Sequence, residues 1–183
     1  VKNASTESEN MVKDIFKTGF ELKAWWLERM YNSPYPLREK MNLFWHNHFV
    51  STFQSVKVPY WVYQHYKVID DHTFGNFKTL TKEMMYSNAM LRYLDNNQNK
   101  KGNINENLGR ELLELFTLGE GNYSENDIRN TALALAGLTV GEEKGQYRRR
   151  LMDTTTKTVF GKSGNFIIDD VIDIIFAQKN APY

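Results

Sequence analysis

The sequence predicts a mainly α-helical fold: a multi-helix orthogonal bundle with a small irregular or β-hairpin insertion near residues 141–164. Apolar residues recur at three- and four-residue spacing along most of the chain, which is the pattern of helices that bury one face. Prolines and polar turns divide this pattern into segments of helix length. A chain of 183 residues can bury one sizeable core, so we expect a single helical domain over residues 1–183.

The first three predicted helices are separated by proline-containing segments. The spacing of large apolar residues predicts a first helix over about residues 7–32, and the segment Ser33-Pro34-Tyr35-Pro36 ends it. A second helix is expected over about residues 36–53. A third begins at Pro59, is rich in aromatic side chains, and fades near residues 70–71.

Two short helices are predicted next, over residues 76–86 and 87–95, with little between them. The segment 96–103 that follows is polar throughout, and we expect a loop that does not pack against the core. Residues 105–119 again have helical spacing and end at glycine.

The last part of the chain contains the predicted insertion between two helices. Ser124 is followed three residues later by Asp127, a pattern that predicts a capped helix reaching about Leu138. The helical pattern then breaks, and the strand material in the insertion is Tyr147, Leu151 and residues 156–160. A final helix is expected over about residues 169–178.

The overall composition excludes several classes of protein. Lysine and arginine total 23 and acidic residues 22, so the formal net charge of +1 gives no support for a nucleic-acid partner. There are no cysteines, which excludes disulfides, thiolate ligands and cysteine nucleophiles. No run of about 20 apolar residues is present to span a membrane. The 14% aromatic content fits a well-filled helical core or, alternatively, a sugar- or peptide-binding surface.

The helix at 105–119 contains the main candidates for a functional site. At roughly 100° per residue, Asn107, Glu111 and Glu114 share one stripe, separate from the leucine stripe of the same helix. Two carboxylates one turn apart suit a divalent metal, a proton-transfer pair or an arginine clamp. They equally suit a solvated face with ion pairs to lysine or arginine. The sequence leaves these alternatives open.

The four histidines differ in their predicted environments. On the second helix His48 falls on the apolar face, whereas His46 points away by roughly 160°, so we expect His48 to be buried and His46 exposed. His48 is either a core histidine or a general base or metal ligand facing the carboxylates. His65 and His72 lie in less patterned sequence and are expected to be exposed.

Two polar clusters in the predicted insertion have both a structural and a functional interpretation. Arg148-Arg149-Arg150 could bind phosphate or an acidic partner, but three basic residues in a loop are more often solvated. The hydroxyl-rich segment 153–158 contains Lys157 and could organise an anion site, although a turn held by local side-chain bonds is the simpler expectation.

Several longer segments together are specific enough to indicate a family. They are Ala24-Trp25-Trp26-Leu27-Glu28-Arg29-Met30, Pro36-Leu37-Arg38-Glu39-Lys40-Met41, Leu43-Phe44-Trp45-His46-Asn47-His48-Phe49, Met90-Leu91-Arg92-Tyr93-Leu94-Asp95-Asn96, residues 105–119, Tyr123-Ser124-Glu125-Asn126-Asp127 and Lys157-Thr158-Val159-Phe160-Gly161. From about Ala24 to its end the chain resembles the bacterial family catalogued as domain of unknown function 1800.

The resemblance implies a bacterial protein, often exported to the periplasm or the outside of the cell. It also implies that this chain corresponds to the central portion of longer family members. Many members have a His-Asp pair before the Lys-Thr segment where this chain has Met152-Asp153, so a role that depends on that histidine lacks its residue here. The family supplies no established reaction.

Two functional hypotheses follow. The first is a non-enzymatic binding or assembly module of an exported bacterial protein, which uses aromatic and acidic surfaces to meet a protein partner or an extracellular ligand. The second is a metal-assisted or acid/base hydrolase-like enzyme whose catalytic candidates are His48, Asn107, Glu111 and Glu114. In that case the metal candidates are His48, Glu111 and Glu114, with a divalent cation as the possible cofactor. The first is favoured because the sequence offers no complete catalytic set.

Overall fold

The computed structural model describes residues 2–181, with side chains described from residue 9 onward. The α-helices are α1 (Lys2–Asn32), α2 (Pro36–His48), α3 (Phe53–Val56), α4 (Pro59–His72), α5 (Phe77–Met85), α6 (Asn88–Tyr93), α7 (Asn107–Glu111), α8 (Glu125–Leu135) and α9 (Ile168–Ile175). A 3₁₀ turn covers Asn96–Gln98, and a π-helix covers Leu112–Leu118 directly after α7. The mainly α-helical prediction is confirmed.

The predicted β insertion consists of two small antiparallel hairpins. Strands β1 (Leu138–Thr139) and β2 (Gln146–Tyr147) pair with Leu138 opposite Tyr147. Strands β3 (Lys157–Val159) and β4 (Lys162–Gly164) pair with Thr158 opposite Ser163. The two hairpins lie between α8 and α9 in the chain, as the loss of helical spacing predicts.

Local sequence signals explain most helix starts. Pro36 and Pro59 stand at the first positions of α2 and α4, where their lack of an amide hydrogen is harmless. Ser124 caps α8 and forms a reciprocal capping box with Asp127, as predicted. The Ser124 hydroxyl accepts from the Asp127 amide at 3.2 Å, and an Asp127 carboxylate oxygen accepts from the Ser124 amide at 3.0 Å.

The second helix is shorter than predicted. It ends at His48, and the chain turns at Phe49, whose backbone has left the helical region. The Phe49 side chain is completely buried, so the turn brings this ring into the core instead of continuing the helix. The short helix α3 then begins at Phe53, whose side chain is also buried.

One continuous apolar core is built mainly from α4 onward. Its members are buried aliphatic, methionine and aromatic side chains, including Phe49, Ile69, Leu80, Met84, Met85, Met90, Leu91, Leu108, Leu112, Leu113, Phe116, Ile128, Leu135, Leu138, Val159, Ile168, Val171, Ile172 and Ile175. Helix α1 packs against α2 and α4 at the edge of this core. Among the described residues, no helix is both long and apolar enough to cross a membrane.

The prediction that the polar segment 96–103 does not pack is wrong. Asn96 and Asn99 are buried. Their side-chain amides donate to backbone carbonyls of β1 and α8. Asn96 donates to the Leu138 carbonyl at 2.8 Å, and Asn99 donates to the Ala132 carbonyl at 2.9 Å. Asn99 therefore supplies a donor to a carbonyl in the last turn of α8, and Asn96 joins the polar segment to β1.

Gly137 makes the close approach between this segment and the insertion possible. Its φ is +83°, a region that favours glycine. A Cβ atom at this position would lie 2.7 Å from the backbone nitrogen of Met152, which is too close for a carbon atom. The Gly137 amide also donates to the Asn99 carbonyl at 2.9 Å.

Candidate functional site

The segment that contains the predicted carboxylate site changes helix type within that site. It is α-helical from Asn107 to Glu111 and π-helical from Leu112 to Leu118. In a π-helix the hydrogen bonds span five residues, so side chains three or four positions apart no longer align as they do in an α-helix. Asn107 is exposed, whereas Glu111 and Glu114 are half-buried. The predicted stripe is therefore not uniform: its burial differs between Asn107 and the two carboxylates, and the helix type changes between Glu111 and Glu114.

Glu114 lies close enough to Glu111 to affect the charge of the Glu111 carboxyl. Burial, and then the charge of Glu114, raise the pKa of the Glu111 carboxyl. The Glu114 carboxylate accepts a hydrogen bond of 2.8 Å from the Tyr123 hydroxyl. Partial burial and this bond raise the pKa of Tyr123 to about 12. The tyrosine therefore remains a hydrogen-bond donor to Glu114 at neutral pH.

Arg110 does not form a clamp with these two carboxylates. Its guanidinium group makes two hydrogen bonds to Glu125, with Nη1 at 3.1 Å and Nη2 at 3.0 Å from the two carboxylate oxygens. It also lies 3.6 Å from a carboxylate oxygen of Glu106. This bidentate pair joins α7 to the start of α8. The arginine therefore fixes the helix pair rather than the predicted site.

The side chain of His48 bonds to the backbone of the π-helix that contains Glu114. Its Nε2 atom lies 3.0 Å from the carbonyl oxygen of Phe116, to which it donates. Burial lowers the pKa of His48, although the bond to Phe116 opposes this shift. The ring, which the sequence predicts to be buried, is only half-buried and lies against Phe49, Phe77 and Phe116. This environment is that of a structural histidine that caps a helix carbonyl.

The three predicted metal candidates do not form a set of ligands. Among the described side chains, no group of three or more His, Cys, Asp or Glu residues lies close enough to hold a metal ion. His48 is paired with a backbone carbonyl, and Glu114 with a tyrosine hydroxyl. Within the described residues, Glu111 is the carboxylate of this group without a hydrogen bond to another side chain.

The predicted exposure of three histidines is wrong, since His72 is half-buried and the other two are covered as follows. His46 is half-buried rather than exposed, because α1 covers the face of α2 that the sequence places outward. Its ring packs against the Trp26 indole at 4.7 Å between ring centres, and burial lowers its pKa. His65 is 1% exposed. Its Nε2 atom donates to the Phe49 carbonyl at 2.8 Å, and its Nδ1 atom accepts from Ser87 at 3.1 Å.

A cavity of about 220 Å³ lies beside His46. We call it the aromatic pocket; its walls come from α1, α2, α3, α4 and the α2–α3 turn and include Lys23, Trp26, His46, Ser51, Phe53 and Tyr66. Two of these residues have a buried polar atom without a hydrogen-bond partner in the described part of the chain: Nε1 of Trp26 and Oγ of Ser51. Apolar walls with a few polar groups are typical of a ligand site.

Charged side chains lie behind one wall of the aromatic pocket and are paired with each other. Arg29 donates to Glu39 at 3.0 Å and to Asp70 at 2.8 Å, and Arg38 donates to Asp70 at 3.1 Å. Although burial opposes it, hydrogen bonds from Asn42 and Arg38 and the charges of both arginines lower the pKa of Asp70. This network joins α1, α2 and α4 and thereby holds the helices that form the pocket.

The sequence did not identify the aromatic pocket because its walls come from elements distant in the chain. The one signal in the sequence is the density of aromatic residues in α1 and α4, which fits either a well-filled core or a binding surface. No spacing rule brings Ser51 to Trp26.

The hydroxyl-rich segment near Lys157 is a structured turn. Lys157 is completely buried, and its ammonium group donates to the carbonyls of Asp153 and Thr155 at 2.9 Å each. The Thr155 amide donates to the Asp153 carboxylate at 3.0 Å. Burial lowers the pKa of Lys157, and the charge of Asp153 opposes this shift. The three consecutive arginines at 148–150 are exposed.

Comparison with known proteins identifies a family without identifying a reaction. No curated protein and no solved structure matches this chain significantly. The family model described as "Protein of unknown function (DUF1800)" matches residues 4–183. This match covers nearly the whole chain, including every element that forms the aromatic pocket and the Glu111 segment. The chain therefore belongs to the DUF1800 family.

Proposed function

We propose that this chain is a binding module of an exported bacterial protein and that the aromatic pocket is its ligand site. The supporting observation is a cavity of about 220 Å³ whose walls are mainly aromatic and apolar side chains, among them Trp26, Phe53 and Tyr66. Apolar surface that a ligand covers in such a cavity contributes about 25 cal/mol per Å² to binding.

The segment 107–118, which contains Glu111 and Glu114, shows no comparable place for a ligand in the described residues. There the groups that suggested acid/base chemistry are bonded within the protein: His48 to Phe116, Glu114 to Tyr123 and Arg110 to Glu125. Each of these bonds joins parts of the chain and so stabilises the fold. The aromatic pocket instead offers a cavity with mainly apolar walls, which favours recognition of a ligand there.

The proposed location is the periplasm or the outside of the cell, which the resemblance to exported family members suggests. The proposed partner is accordingly an extracellular ligand or a protein that carries a matching group. An aromatic or apolar group is the expected part of that partner, because tryptophan, tyrosine and phenylalanine walls offer flat apolar surfaces.

Titration of the ¹⁵N-labelled chain with indole tests this proposal. Indole is a small aromatic probe, and the indole N–H resonance of Trp26 reports directly on the wall of the pocket. We expect a saturable shift of this resonance.

Two matched variants locate the binding event. Gln54 lines the pocket and is exposed, so Gln54→Trp should obstruct the cavity without disturbing the core. Ser55→Trp adds the same side chain at the next exposed position of α3 and should leave binding intact. Saturable binding that Gln54→Trp does not weaken, or no saturable shift at all, would contradict the proposed site.

A further inference from the structure

We propose that the exposed apolar side of α1 is a dimer interface, on which a second copy of this chain docks with its own α1 antiparallel to the first. This inference goes beyond the proposed function and does not depend on the ligand of the aromatic pocket. It depends on an apolar stripe that no described part of the chain covers, on the area of that stripe, and on the charges beside it.

Large apolar side chains at helical spacing form this stripe. At roughly 100° per residue they fall within about 100° of arc on α1. They are Val12, Phe16, Phe20, Leu27 and Tyr31, which we call the α1 stripe. A stripe of this width normally faces the core. In this chain another face of α1 meets the body, through the buried Gly19 and through Trp26, whose ring packs on Tyr66 of α4. The α1 stripe therefore faces solvent.

The exposed area of the α1 stripe is of the size that interfaces use. Tyr31 is 89% exposed, Phe20 67% and Leu27 63%, and Phe16 and Val12 are each about half exposed. Because an aromatic side chain has about 150–250 Å² of surface, the three aromatic residues alone leave roughly 300–500 Å² open. The aliphatic residues and the stems of flanking charged side chains add to this area. The face thus approaches the roughly 800 Å² that each partner buries in a standard interface.

Charges beside the α1 stripe distinguish the two orientations of a helix pair. Lys13 and Lys17 lie beside its N-terminal half, and Glu28 lies beside its C-terminal half. A parallel pair would set each lysine level with its own copy, so like charges would meet. An antiparallel pair centred on the stripe sets Lys17 of one helix within about 3 Å of the level of Glu28 in the other. Lys17 and Glu28 are also only about 20° apart around α1, and equal flanks meet in an antiparallel pair.

Both of these charges are accessible to a second copy. Glu28 is exposed. The Lys17 ammonium lies 3.9 Å from Glu21 in a pair whose side chains are mostly exposed. Such a surface pair contributes little to stability, so Lys17 can share its charge with Glu28 of the second copy.

The arrangement is self-complementary, as a dimer with twofold symmetry requires. The same superposition sets Phe16 level with Leu27 of the second copy, and Val12 level with Tyr31. Phe20 lies nearest the twofold axis, where it meets its own copy. The axis repeats each apolar contact and the charge pair, so one stripe covers the other along its whole length.

Two matched leucine variants test whether the α1 stripe mediates dimerisation. We expect sedimentation velocity of the full chain to show a monomer–dimer equilibrium at micromolar concentration. Leu27→Glu should raise the dissociation constant at least tenfold, because it places a charge in the interface. Leu115→Glu changes a leucine of nearly equal exposure, 62% against 63%, outside α1 and should leave the constant unchanged. The Trp26 N–H resonance shows that each variant is folded.

A charge exchange tests the pairing of Lys17 with Glu28. Lys17→Glu and Glu28→Lys should each weaken the dimer by about fivefold, since each replaces two attractions with two repulsions. The double variant restores opposite charges and should dimerise as tightly as wild type. A double variant weaker than either single variant would contradict the pairing.

Single cysteines test the orientation, because the chain has no other cysteine. In the antiparallel pair Ala24 lies about 8 Å along the axis from its own copy, and Lys13 about 26 Å. A short bismaleimide should therefore link the Ala24→Cys dimer and not the Lys13→Cys dimer. Linking of both would indicate a parallel pair and overturn the proposed orientation.

Two further outcomes would overturn the interface itself. One is a chain that stays monomeric at several hundred micromolar, which would leave the α1 stripe to a different kind of occupant. The other is a dimer that Leu115→Glu weakens as much as Leu27→Glu, which would place the interface elsewhere. Titration with indole tests the aromatic pocket separately, so failure of the dimer and failure of the proposed function are distinguishable.

Discussion

The Nε2 atom of His48 donates a hydrogen bond of 3.0 Å to the carbonyl oxygen of Phe116. This bond connects the last residue of α2 to the π-helix at Leu112–Leu118. Phe116 lies in the last turn of that helix, where carbonyls lack a partner further along the helix. A histidine from a segment 68 residues earlier in the chain thus completes the hydrogen bonding of the helix that contains Glu111 and Glu114.

Replacement of this histidine should destabilise the fold. His48→Phe keeps an aromatic ring but leaves the Phe116 carbonyl without its donor, which should lower the free energy of unfolding by about 1–3 kcal/mol. His48→Gln retains a donor and should cost less. Urea denaturation followed by circular dichroism measures both. A His48→Phe variant as stable as wild type would show that the bond contributes nothing to stability.

The cap of α8 permits a graded comparison. Ser124→Ala removes the hydroxyl that accepts from the Asp127 amide, at an expected cost of about 0.5–2 kcal/mol. Asp127→Ala should cost more, because the Asp127 carboxylate accepts from both the Ser124 amide and the Phe160 amide, the latter at 2.7 Å. Thermal denaturation of the two variants gives the order. The reverse order would show that Asp127 does not connect α8 to the second hairpin.

Lys157 should be among the most sensitive charged positions of the chain. Lys157→Met removes a buried ammonium group that bonds two carbonyls and lies 3.6 Å from the Asp153 carboxylate. Breaking a buried charge pair by removing one partner typically costs about 3–5 kcal/mol. Lys162→Met, at an exposed position of the same hairpin, is the control and should be nearly neutral. Equal stabilities of the two variants in urea would contradict the assigned role.

The buried, neutral His65 should make the folded protein less stable as the pH decreases. Burial, and then the charge of His46, lower the pKa of His65 to about 3, although its bond to Phe49 opposes the shift; its ordinary value is 6.5. The unfolded chain therefore binds this proton first, so the contribution of His65 to stability is complete above pH 6.5 and is lost as the pH falls towards 3.

Comparison with a variant isolates this contribution. His65→Gln should be less stable than wild type but should lose less stability between pH 7 and pH 5, by at most about 1.4 kcal/mol per pH unit. His46 and His48, whose pKa values are also lowered, remain in both proteins. Denaturant midpoints at several pH values measure the slopes. Parallel slopes would mean that His65 is not neutral and buried in solution.

Glu111 provides the test of the metal hypothesis. We expect neither wild type nor Glu111→Gln to retain zinc or manganese after dialysis, because the described His, Asp and Glu side chains do not assemble a group of three ligands. Elemental analysis of both proteins measures this. Stoichiometric metal in the wild type that is lost in Glu111→Gln would instead place a metal site at this carboxylate and revive the enzymatic hypothesis.

The sequence by itself determined the helical class, most helix starts and the place of the β insertion. It did so because these features depend on neighbours within a few residues: Pro59 starts α4, and Ser124 with Asp127 starts α8. It also places Glu111 and Glu114 in one helical segment.

Only the tertiary structure decided which of these faces are covered and which polar groups are paired. Because α1 lies across α2, His46 is half-buried, and because Phe49 turns into the core, its carbonyl meets His65. Burial of Asn96 and Asn99 likewise depends on carbonyls more than 30 residues later in the chain. The aromatic pocket has the same origin: Trp26 and Ser51 line one cavity because four helices pack together, and local periodicity contains no information about which helix covers a given face.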